Sequence, residues 1–327
     1  MDISVSMQQK LITLTNATTL SHIEIIQGVW GGYGQLYRAY FVGSEVNSVV
    51  VKQISLPQPS EHPKGWNTQR SHQRKLASYQ VELNWYQYYA KHCPPLCPVA
   101  EVLAVEQSNN DILLVLSDLT QQGFPVVKQS ATLEEAKVCI RWLARFHAKH
   151  LGMQTDELWK TGTYWHLETR PDELAAMPDS PLKQAASQLD QRLLQCKYQT
   201  LVHGDAKLAN FCFSTDGSRV AAVDFQYVGQ GCGMKDLILF ISSCIPPEQC
   251  QALEQQLIDY YFAQLSEALN SVQPQINPSF IEKEWRPLYA IAWADFQRFV
   301  TGWSPKHWKI NPYTEQLTER ALQQIHK

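Results

Sequence analysis

Asp205 and Asn210 stand five residues apart in Leu201-Val202-His203-Gly204-Asp205-Ala206-Lys207-Leu208-Ala209-Asn210, directly after an apolar stretch that reads as a strand. Nineteen residues beyond Asp205, Asp224 closes a second short apolar run, Ala221-Ala222-Val223. A carboxylate that follows a strand is by itself often a turn or a helix cap. Two of them in this order, with an amide between, suit transfer of a phosphoryl group to a hydroxyl. Asp205 is placed to accept the hydroxyl proton while the nucleophile is aligned. The amide oxygen of Asn210 and the carboxylate of Asp224 are hard donors of the kind that Mg2+ takes in its near-octahedral shell. Lys207, two residues past the base, can neutralise charge developing on the transferred group. An exposed loop lysine is the plain alternative.

The first third of the chain supplies matching parts. Lys52 sits within Val49-Val50-Val51-Lys52-Gln53-Ile54, an apolar strand pattern in which a buried ammonium needs a counter-charge. Glu82 has the complementary need, because it falls at helical spacing with Tyr79, Tyr86 and Tyr89. Pairing the two leaves Lys52 aimed at the α- and β-phosphates of ATP. Gly28, Gly31, Gly32 and Gly34 lie between two strand patterns, where backbone N–H groups can approach phosphates, although a glycine-rich hairpin turn reads the same way. Leu116, Ser117 and Leu119 belong to a connector whose backbone can pair with an adenine edge.

The elements that must position these residues follow from periodicity. Strands are expected at Ile23–Gln27, Leu36–Val42, Ser48–Ile54, Val99–Val105 and Ile112–Leu116, with a helix over Leu76–Lys91. Leu56–Lys75, polar and with three prolines, reads as a solvated loop, a substrate-contacting lid being the alternative. Helices are expected at Leu133–Lys149 and Leu182–Leu194, and short strands at Thr200–Val202 and Val220–Val223. From Pro247 onward the pattern is helical and rich in aromatic residues.

The 327 residues exceed one small core and suit two lobes. A hydrophobic content of 44% against 18% charged residues describes a folded chain rather than a disordered one. The net charge of −3 gives no basic field for nucleic acid, so phosphate must be held locally. No signal peptide or membrane-length apolar run is read, and a cytoplasmic location is the default expectation. Eight scattered cysteines without a CxxC pair read as inert thiols.

The catalytic-loop spacing, together with Ser78-Tyr79-Gln80-Val81-Glu82-Leu83-Asn84-Trp85-Tyr86 and Ser117-Asp118-Leu119, resembles the aminoglycoside phosphotransferase and choline kinase superfamily over nearly the whole chain. The ecdysteroid-kinase-like branch is the nearest in pattern. The resemblance implies an α+β, bilobal protein-kinase-like fold, with a five-stranded antiparallel sheet in a nucleotide-binding lobe (residues 1–117) and a mainly helical catalytic lobe (118–327). It implies MgATP in the cleft, with His203 supporting the loop and Asp236 as a buried carboxylate that braces it. A protein-kinase reading fails, because Gly204 stands where regulated protein kinases place an arginine, and the twelve-residue step from Asp224 to Asp236 leaves no room for a peptide platform. The expected enzyme moves the γ-phosphate of ATP to a hydroxyl of a small molecule, the rival being a nucleotide-binding pseudokinase. The acceptor stays open among choline-like ammonium compounds, amino alcohols and lipid or steroid-like alcohols. Tyr289, Trp293, Phe296, Val300 and Trp303 form a helical stripe that either packs the core or lines the acceptor cleft, with Asp295 beside it as a polar contact.

Overall fold

Helix α1 (Val5–Thr15) lies against one face of a five-stranded sheet in the computed structural model, which describes residues 3–28, 33–55, 69–93, 95–108 and 111–325. The strands are β1 (Thr19–Gly28), β2 (Gly34–Val42), β3 (Ser48–Ser55), β4 (Val102–Ser108) and β5 (Asp111–Ser117), in the order β1-β2-β3-β5-β4. Every neighbouring pair is antiparallel. The unbroken apolar run of β3 fits its central place, since both of its faces are covered. Period-2 alternation then divides it. Val49 and Val51 join Leu11, Tyr37, Leu113 and Val115 under α1, while Lys52 and Ile54 fall on the other face, with Lys52 registered opposite Leu114.

Helix α1 has no counterpart among the elements expected from the sequence. Its signal lies in its caps: the Ser4 side chain accepts from the Met7 N–H, and Asn16 ends the helix at a φ of 51°. The larger correction concerns α2 (Gln69–Asn84), which begins well before Leu76, so residues 69–75 are helix rather than loop. Contacts beyond the helix fix this polar turn: Arg74 donates to the Thr169 carbonyl at 2.8 Å, and Arg70 pairs with Asp172. The rest of the expected loop lies outside the described residues. Past Asn84 the chain widens into a π-helical turn, Trp85–Tyr89, and closes with a tight turn at Ala90–His92.

The remainder is mainly helical. A two-residue strand, β6 (Val126–Val127), precedes α3 (Leu133–His150), which opens on a reciprocal capping box between Thr132 and Glu135. Short helices α4 (Pro171–Ala176), α5 (Pro181–Gln184) and α6 (Ala186–Leu194) follow, and the expected Leu182–Leu194 helix is broken at Ala185. Four three-residue strands carry the catalytic segment: β7 (Thr200–Val202), β8 (Phe211–Phe213), β9 (Val220–Ala222) and β10 (Gly229–Gly231). β7 pairs with β10, and β6, β8 and β9 form a small sheet. Helices α7 (Met234–Cys244), α8 (Pro247–Val272), α9 (Pro278–Trp303) and α10 (Pro312–Ile325) complete the chain. Among the described residues, no helix is long and apolar enough to cross a membrane.

Candidate active site

The turn after β7 is held from below. Asp236, in the first turn of α7, accepts from the backbone N–H of His203 at 2.6 Å and of Gly204 at 2.9 Å. His147 Nε2 lies 3.1 Å from the same carboxylate, and its Nδ1 lies 2.7 Å from the Tyr261 hydroxyl. All of these groups are buried, so every bond replaces water that the loop cannot reach. Gly204 has a φ of +80°, and a Cβ there would meet the Tyr227 carbonyl oxygen at 2.0 Å. Only glycine fits. His203 receives the Asp205 N–H on Nδ1, which leaves Nε2 to donate to the Val223 carbonyl at 2.9 Å and so ties the catalytic loop to the strand before Asp224.

Asp205 emerges from this turn nearly enclosed. Its Oδ2 accepts from Lys207 Nζ at 2.7 Å and from Asn210 Nδ2 at 3.2 Å, and Asn210 Nδ2 also donates to the Asp205 carbonyl at 2.8 Å. Oδ1 accepts no side-chain hydrogen bond among the described residues and remains for a hydroxyl donor. Burial raises the Asp205 pKa above the ordinary carboxylate value, and Lys207 offsets only part of that rise. Such a shift favours proton acceptance.

Lys52 reaches across to the same region. Its Nζ lies 2.6 Å from Glu82 Oε2 and 3.7 Å from Asp224 Oδ1. Burial opposes the ammonium, but Glu82 and Asp224 outweigh it and hold the Lys52 pKa above its ordinary value. Burial likewise opposes ionisation of Asp224, yet Lys52, Lys207, His203 and Lys75 together keep its carboxyl below the usual range. Asp224 adopts a φ of 68°, a left-handed conformation that costs a non-glycine residue roughly 1–3 kcal/mol and turns its carboxylate toward Lys52.

The donors present fit a magnesium ion. The Nδ2 group of Asn210 is consumed by Asp205, so its oxygen is free to face a cation, and the Asp224 side chain is 35% exposed beside it in the fold. The Val223 N–H bonds the Asn210 carbonyl at 3.0 Å and keeps the two residues together. A hard amide oxygen and a carboxylate, with room for water, are what Mg2+ accepts.

Alongside the loop lies an open cavity of about 330 Å³. Lys207, Leu208 and Ala209 form one wall, and Phe296, Phe299, Val300 and Trp303 of α9 form another. The segment between α9 and α10 adds His307, Trp308 and Lys309.

A model of the phosphotransferase enzyme family matches residues 26–274. The chain belongs to that family. No curated protein matches it significantly. Similar solved structures include a microcompartment-associated aminopropanol kinase, at 14% identity over 98% of both chains with a TM-score of 0.52. A choline kinase from Cryptosporidium parvum also aligns at 14% identity and a TM-score of 0.52, over 98% of this chain and 95% of that one. An aminoglycoside phosphotransferase from Streptomyces rimosus, bound to ADP and streptomycin, gives the same identity and TM-score over 90% and 99%. At this identity the three establish a shared fold.

In this phosphotransferase the residues expected from the sequence are not all equally placed. Trp303 reaches the cavity, but Trp293 and Asp295 do not. Trp293 is enclosed and donates to Gln297 at 2.8 Å, while Asp295 is fully buried between Arg298 and the Trp165 indole N–H. In this geometry neither lines the cavity. Gly34 serves the sheet, since a Cβ there would strike the Gln53 carbonyl at 2.0 Å; Gly28 has open space around it, and Gly31 and Gly32 lie outside the described residues. On the connector, Leu116 and Leu119 are buried, and the Ser117 N–H is committed to the Glu101 carbonyl, leaving adenine pairing to other backbone groups.

Three residues around Asp224 escape sequence reading. Gln226 donates to Asp224 Oδ1 at 2.9 Å and receives Lys75 Nζ and Ser78 Oγ, each at 3.2 Å. Burial, then repulsion from Lys52, draws the Lys75 pKa down to about 8. The available signal was position: Gln226 stands two residues past Asp224, and Ser78 stands four residues before Glu82 on α2.

Proposed function

We propose that this chain is an ATP- and Mg2+-dependent kinase that phosphorylates a hydroxyl of a small molecule seated in the cavity beside Lys207. The observation that carries the reading is the buried bridge from Lys52 to both Glu82 and Asp224, which joins the sheet to the strand end beyond the catalytic loop. It supports a division near residue 117 into a nucleotide-binding lobe and a catalytic lobe. Lys52 holds the α- and β-phosphates, and Asn210 and Asp224 hold the magnesium ion. When bound, that ion neutralises phosphate charge.

Asp205 Oδ1 takes the proton of the acceptor hydroxyl as its oxygen bonds to the γ-phosphorus and the bond from that phosphorus to the β-phosphate oxygen breaks. ADP leaves with that electron pair. Lys207 offsets charge on the equatorial oxygens while holding Asp205 in register. The ecdysteroid-kinase-like pattern around Tyr79–Tyr86 remains a sequence likeness and brings no acceptor with it.

The test is ADP release across a panel of hydroxyl-bearing metabolites, with and without magnesium. Release above background that depends on one acceptor supports the kinase. Tight MgATP binding with no acceptor ever phosphorylated would replace it with a nucleotide-binding regulatory protein.

A further inference from the structure

The cavity beside the loop is cationic. None of the described residues lining it is acidic, while Lys128, Lys207 and Lys309 all reach it. Two of these charges are already spoken for: Lys128 pairs with Glu135 at 2.7 Å, and Lys207 pairs with Asp205 at 2.7 Å. Lys309 differs. Only 8% of it is exposed, and among the described residues its ammonium has no carboxylate within ion-pair distance. Its one hydrogen bond is to the Ser242 hydroxyl at 2.9 Å, with the Phe296 and Trp308 rings 5.3 and 5.6 Å away.

A buried ammonium without a counter-ion is costly, and a neutral residue would brace Ser242 as well. Aromatic walls alone would suit a quaternary ammonium, but the uncompensated Lys309 ammonium in the same cavity repels one. We infer that the acceptor is an alcohol with a flat, apolar body and a carboxylate, the carboxylate docking on Lys309 while the ring lies against Phe299, Trp303 and Trp308. This inference rests on the kinase reading, since it names the substrate class of that site, and it sets the chain apart from enzymes that act on amino alcohols. Burial draws the Lys309 pKa down to about 8, which leaves it mainly cationic at neutral pH.

Two probes that share a benzyl alcohol body separate the possibilities: para-(hydroxymethyl)benzoate and para-(hydroxymethyl)benzylamine. Each is titrated calorimetrically into the full chain with ADP and magnesium. The benzoate should bind roughly tenfold more tightly, the size of one charge-assisted hydrogen bond. Lys309→Gln, checked for native circular dichroism, should erase that preference. A benzylamine that binds equally or better, a lack of binding by both, or a preference unchanged in folded Lys309→Gln overturns the inference. Should the variant not fold, the wild-type comparison decides alone. Phosphorylation is read separately by ADP release with ATP. Preferential benzoate binding without turnover would leave the charge preference standing, and the acceptor panel would then decide the kinase reading.

Discussion

Lys207 Nζ and Asp205 Oδ2 meet at 2.7 Å within one loop, so one oxygen of the base is occupied before any acceptor arrives. The free oxygen is the one proposed to take the acceptor proton. Asp205→Asn should therefore keep MgATP affinity within a few-fold and lower single-turnover transfer by roughly two to four decades, the usual contribution of a general base. Transfer at the wild-type rate would remove Asp205 from that role.

Lys52→Met should weaken nucleotide binding by about two orders of magnitude or more, because it removes the cation and strands Glu82 unpaired in the interior. Thermal stabilisation by MgATP, compared between the two proteins, is the measurement. An unchanged shift would place Lys52 away from the phosphates.

Metal dependence should divide between the two proposed ligands. Asp224→Ala should abolish transfer at any magnesium concentration, since charge is lost with the ligand. Asn210→Ala should recover in part as magnesium is raised, because water can replace one neutral oxygen. Full wild-type activity in excess chelator would refute the assignment.

Asp236→Ala should destabilise the fold by roughly 3–5 kcal/mol, leaving the N–H groups of His203 and Gly204 buried without an acceptor. Chemical denaturation gives the value. A change below about 1 kcal/mol would mean that water reaches the loop.

Acceptor binding should depend on pH through Lys309. The groups that face it are Asp205, which favours its charge, Lys207, which opposes it, the thiols of Cys244 and Cys250, and the His307 imidazole. Its pKa is lowered by burial to about 8, so the ammonium is present below that pH and fades above it. Affinity for para-(hydroxymethyl)benzoate should hold steady below pH 8 and fall as the pH rises through it. Lys309→Gln should flatten that fall. An equally steep fall in the variant would point to another group.

Much of this was legible in the residues. The Asp205, Asn210 and Asp224 spacing is local, and Lys52 in an apolar run demands a partner whatever the fold. Strands β8 and β10 were not legible, because Phe211–Phe213 follows the catalytic loop without a break and Gly229–Gly231 carries no apolar side chain. The first turns of α2 were missed since their stability comes from distant acceptors, Thr169 and Asp172, that no window of sequence contains. Trp293 and Trp303 look alike on a helical stripe. Only tertiary packing decides that one is enclosed and the other faces the cavity.

Helix α2 carries Glu82 near one end and, near the other, Arg70, Arg74 and Lys75, all bonded to residues of the helical part. The sheet and the helices are therefore linked through this one helix. Any opening must either snap those three tethers or carry the helix off and pull Glu82 from Lys52. The Lys52–Glu82 pair and the angle between sheet and helices are thus geared together through one helix, and a substitution at Arg74 should be felt at Lys52.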